Sequence, residues 1–144
     1  MRVENNAVIV QHEANAGFSV SNATTSNWSN RLSENQFDAE EFAWVLNNTN
    51  ADASNPNYLS DGGNNHTGWN DSALDGILHQ LEGKNSTAQI AALMGKAESI
   101  ITANAWTLPI YQWPQVTAYS KGLYGVKGTA ISPTYAWNYW EWHF

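Results

Sequence analysis

Residues 72–101 read SALDGILHQLEGKNSTAQIAALMGKAESII, and this stretch decides much of what the chain can build. Leu74, Ile77, Leu78 and Leu81 recur at helical spacing and form one apolar stripe. Ser72 followed by Asp75 resembles a capping box at the start of that stripe, and Gly83 supplies its stop. A second helix begins near Ser86 and carries Ile90, Leu93, Met94, Ala97, Ile100 and Ile101 on one face. A short connection joins the two, so the stretch predicts a helical pair whose stripes share a core.

Working outward, the pattern changes. Val3 to Ala16 reads both ways, with β-branched Val8, Ile9 and Val10 but with Ala7, Val10, Gln11 and Ala14 on one helical face; helix is the reading taken, with Gly17 as its stop. Phe18-Ser19-Val20 alternates as a short strand, and Trp28 and Leu32 lie four apart in a helical turn. Phe37 to Leu46 predicts a strand with Phe42, Trp44 and Leu46 on one face. Asn47 to Asn70 is loop by its turn residues, Leu108 to Tyr111 restarts extended structure, and Gly122, Gly125 and Gly128 precede the aromatic run Tyr135 to Trp142.

Composition narrows the function classes. The 144 residues carry a formal net charge of −7 with only six Lys and Arg, so the basic stripe that phosphate backbones need is absent and nucleic acid is not an expected partner. No cysteine is present, which removes disulfides and thiol chemistry, and no apolar run approaches a membrane span. The opening MRVENNAVIV is not a signal peptide; for an exported protein the targeting segment is expected upstream. Eight Trp, six Tyr and 18 Asn against 13 % charged residues offer stacking faces and neutral hydrogen-bonding groups for polar organic ligands.

Catalytic and metal chemistry is sparse in this sequence. His12, His66, His79 and His143 lie far apart without a second ligand at helical spacing, and no cofactor or metal is expected. Gly122, Gly125 and Gly128 open no helix and so make no dinucleotide fingerprint. Asp38 and Glu40 would share a strand face, the sole basis for reading a small glycosidase; no enzyme activity is expected.

The order of the pieces resembles one family. A helix ending in Ala16-Gly17-Phe18-Ser19-Val20 comes first, then Trp28 with Leu32, Phe37-Asp38 leading to Trp44, and Asn55-Pro56 with Tyr58-Leu59. Asn65 with Gly68-Trp69-Asn70, the helical pair, Trp106 to Tyr111 and Lys121 to Val126 follow in the same sequence. From about residue 7 to Trp140 the chain is similar to the closing half of the extracellular solute-binding proteins of family 5, the peptide- and nickel-binding components of ABC importers. The resemblance implies an α/β fold, part of the C-terminal lobe of a two-lobed periplasmic-binding-protein-like architecture. Residues 1–128 would form the partial lobe, and 129–144 would be an aromatic segment returning toward the lobe that this chain lacks.

It further implies an extracytoplasmic location in the parent protein, a peptide or similar small solute as ligand, and the importer's membrane subunits as partners. The cleft-facing stretch carried over from the family is Ala43, Trp44, Val45, Leu46 and Asn47. Asn47 stands where peptide-binding members often place an Asp, so capture of a charged amino terminus is weakened. Lacking its partner lobe, the chain is expected to self-associate. A secreted carbohydrate-binding module is the competing reading, motivated by Trp, Asn and low charge, and such modules are mostly all-β.

Overall fold

The computed structural model describes residues 2–45, 48–114, 116–129, 131 and 136–144. Among these residues five α-helices follow in order, α1 (Arg2–Asn15), α2 (Trp28–Ser33), α3 (Asn55–Tyr58), α4 (Ser72–Leu81) and α5 (Thr87–Ala103), with a 3₁₀ turn at Tyr139–Glu141. The chain divides into two compact units, one of residues 1–43 with 66–68 and one of residues 44–65 with 69–144.

The structure corrects the α/β expectation. Among the described residues there is no sheet, and strand pairing amounts to one antiparallel bridge between Tyr124 and His143. Among the described residues, none of Phe18–Val20, 37–45 and Leu108–Tyr111 is a strand. The physical reason is that alternating side chains favour a strand only where its backbone groups find a ladder and one face is buried. Here Phe18 is 64 % exposed and no second run lies alongside it. With no strand, the alternation that put Asp38 and Glu40 on one face is gone.

In the first unit, local sequence sets the helix ends. Gly17 at φ 93° closes α1, the Phe18 amide donating to the Glu13 carbonyl and the Gly17 amide to that of Ala14. This is a Schellman motif, in which a left-handed residue lets the chain return to its own last turn. Asn35 at φ 54° repeats it after α2. The unit is tied mostly by polar contacts: Asn5 Nδ2 donates to Glu41 Oε1 at 2.8 Å, and the Arg2 guanidinium lies 5.5 Å from the Phe42 ring centre. Leu32 is its buried apolar side chain.

The second unit holds the core. Leu59, Trp69, Leu74, Leu78, Leu81 and Ala97 are buried together, with Ile90, Leu93, Ile100, Ile101 and Trp106 packed around them. Each buried leucine stabilises the fold by about 2 kcal/mol relative to exposure. Asp71, one residue before the expected cap, begins α4 by accepting from the Ala73 and Leu74 amides at 2.9 and 3.0 Å. Asp75 instead accepts the Ser60 amide and anchors the preceding loop. Ser86 and Gln89 form the reciprocal capping box of α5.

The Asn-rich stretch before α4 is a folded loop. Asn65 Nδ2 donates to the carbonyls of Leu59 and Trp69, and the Asn64 amide reaches the Pro56 carbonyl. Gly62 passes so close that a Cβ there would run into that same carbonyl. Amide side chains do for this loop what a backbone ladder does for a strand.

A third knot closes the chain. Asn138 is fully buried; its Nδ2 donates to the Gly125 carbonyl at 2.7 Å and to Glu141 Oε2 at 3.1 Å. Its Oδ1 accepts from the Trp142 indole at 3.1 Å and the Lys127 amide at 3.4 Å. Lys127 also pairs with the Glu141 carboxylate. Around this knot Tyr139 and Trp140 stay outward, each 66 % exposed.

Candidate functional site

Four pieces of the second unit surround an open groove. Asn55 and Tyr58 come from α3, Leu78 and Leu81 from α4, Met94, Ala97, Glu98, Ile101 and Thr102 from α5. Ala51, Ser54, Thr107 and Pro109 complete it, enclosing about 370 Å³. Ala97 is the small residue in an otherwise large-residue stripe, which leaves room above the α4–α5 contact. The volume lies at the small end of the range for ligand pockets, and the lining is mostly apolar with a few polar groups, the usual composition of such sites.

Asn55 is the polar centre of this groove. It is 4 % exposed. Its Nδ2 donates to the Leu78 carbonyl at 2.9 Å and to Glu82 Oε1 at 3.1 Å. The first bond caps a carbonyl of the last turn of α4 that has no acceptor role left inside the helix. Its Oδ1 is buried and has no donor among the described residues. A buried acceptor without a partner costs about 1–3 kcal/mol, so this amide sits beside the groove at a cost to the fold.

Electrostatics at the rim are modest. Glu82 is held below the ordinary carboxylate range by the hydrogen bond from Asn55 first, then by that from His79 at 3.1 Å. Both partners of the His79–Glu82 pair are about half exposed, so the pair contributes little to stability. Glu98 lines the groove on an exposed turn of α5. Among the described residues no three His, Asp or Glu side chains gather in a metal-holding group, and no helix is long and apolar enough to cross a membrane.

Of the residues expected from sequence to line a cleft, three can be compared with the lining of this groove. Ala43 is half-buried, Trp44 is 49 % exposed and Val45 is 64 % exposed, and none of the three lines it. Leu46 and Asn47 lie outside the described residues. Sequence reading missed Asn55, Tyr58 and Thr102 as groove residues. A signal was present for the first two, since Asn55-Pro56 reads as a helix start and Tyr58 falls one turn on. Thr102 gave none. No protein-family model, curated protein or solved structure matches the chain.

Proposed function

We propose that this chain serves in binding, as the carboxy-terminal part of the solute-binding component of an ABC import system, with a peptide or similar small solute as ligand. The observation that carries the reading is the open groove floored by Leu78, Leu81 and Ala97, beside the buried acceptor of Asn55. A shaped apolar cavity next to an unused neutral acceptor suits an organic solute with an apolar group and an N–H donor. Asn55, Tyr58, Thr107 and Pro109 of the ordered motif series quoted above line that groove together with residues of the helical pair, which supports reading the motifs and the cavity together. Placement at the extracytoplasmic face and contact with importer membrane subunits belong to the same proposal.

The test is calorimetric titration of a set of short apolar peptides, free and N-acetylated, with an oligosaccharide series as comparison. Peptide affinity should fall about tenfold or more in Thr102→Trp, which fills the groove from its exposed rim without touching the core. Absence of peptide binding, or preference for oligosaccharide, would sink the proposal.

A further inference from the structure

Beyond the end of α5, residues 107–114 run without helix, turn or bend. Leu108 is 85 % exposed and Ile110 56 %. Among the described residues, the backbone groups of Thr107, Leu108, Ile110 and Gln112 take part in no hydrogen bond. In an extended chain, alternate residues turn their N–H and C=O toward the same edge. Residues 107, 109 and 111 share one edge, interrupted by Pro109, which has no N–H. Residues 108, 110 and 112 share the other, where each offers both donor and acceptor.

Charge selects who can use that edge. No Asp, Glu, Lys or Arg occurs between Glu98 and Lys121, although the chain as a whole carries −7. Two copies of an acidic chain repel one another over most of their surface, and a long neutral, apolar stretch is where their approach costs least. Exposed apolar side chains beside unpaired backbone are the features through which strands recruit one another.

We propose that residues 107–113 are the interface through which two copies of this chain pair, antiparallel, about a twofold axis at Ile110. The register follows from the edge. Ile110 lies opposite Ile110 of the second copy, and Leu108 opposite Gln112, because hydrogen-bonded pairs recur at every second residue of an antiparallel ladder. Pro109 then faces Tyr111 in a non-hydrogen-bonded pair, where an N–H would point away from the partner and its absence costs nothing. The same patch serves both copies, so the contact closes as a dimer. This inference does not depend on the solute-binding reading.

The chain contains no cysteine, so a single introduced thiol can form a disulfide only between copies. A hydrogen-bonded pair places its Cα atoms about 5.5 Å apart, within disulfide range. Wild-type chain at about 50 µM should sediment as a dimer, and Leu108→Lys, with helical content unchanged by circular dichroism, as a monomer. Under mild oxidation Ile110→Cys should become a covalent dimer about tenfold or more faster than Trp140→Cys, a comparably exposed control. Leu108→Cys alone should stay unlinked, yet cross-link when mixed with Gln112→Cys. A monomeric wild type, or Trp140→Cys linking as fast as Ile110→Cys, overturns the proposal. Rapid linking of Leu108→Cys by itself overturns the register.

Discussion

Replacing Asn138 by Ala removes the side chain that ties 125–127 to 138–142. Four hydrogen bonds go with it, to the Gly125 carbonyl, the Lys127 amide, Glu141 and the Trp142 indole. Lys127 and Glu141 are exposed and recover water, so the loss is carried by the half-buried Gly125 carbonyl and Trp142 indole. One neutral hydrogen bond contributes about 1 kcal/mol net and an orphaned buried group costs about 1–3, which gives a local loss of about 2–4 kcal/mol. The assay is hydrogen exchange at Tyr124 and His143, whose amides donate across the bridge at 2.8 and 3.2 Å. At about 1.4 kcal/mol per decade, protection there should drop about 30- to 1,000-fold. Asn138→Asp should do at least as badly at neutral pH, since it sets a charged oxygen against the Gly125 carbonyl and the Glu141 carboxylate. Protection within about threefold of wild type in Asn138→Ala would refute the reasoning.

Other outcomes follow from single observations. Ala105 sits at φ 52° in the left-handed region that ends α5, and Ala105→Gly should stabilise the second unit by about 0.5–1 kcal/mol, read as a higher thermal midpoint. Glu141 is held below the ordinary carboxylate range by Lys127 first and Asn138 second. Its stabilisation is therefore present above the unfolded value of about 4.3 and lost as pH falls through the lower folded one, so exchange protection at Tyr124 should hold at neutral pH and decline below about pH 4. Lys127→Met should weaken that decline. Trp44→Ala should reduce solute affinity by about 1–3 kcal/mol if the 43–47 stretch meets the ligand; unchanged calorimetry, with Thr102→Trp still disruptive, assigns the site to the groove alone.

How much was legible depended on how local each cause is. The stripe Leu74, Ile77, Leu78, Leu81 needs only its own spacing, and α4 appears within a residue of where it was read. The helix start at Ser86 and the stop at Gly17 are equally local, and both fall where the sequence suggests. The strand readings at Phe18, Phe37 and Leu108 failed for the opposite reason. A strand is half of a pair, and nothing within Phe18-Ser19-Val20 states whether a second run will lie beside it.

The sequence by itself determined the helical pair, the start of its second helix at Ser86, the acidic low-charge composition and the absence of thiols, because each follows from residues a turn apart or from simple counts. Only the tertiary structure decided that Asn55 and Asn138, two amides among 18, become buried centres while most of the others stay exposed or tie loops. Burying an amide is favourable only where donors and acceptors from distant segments converge on it. Leu78 lies 23 residues from Asn55 and Gly125 lies 13 from Asn138, and no spacing rule along the chain brings such partners together.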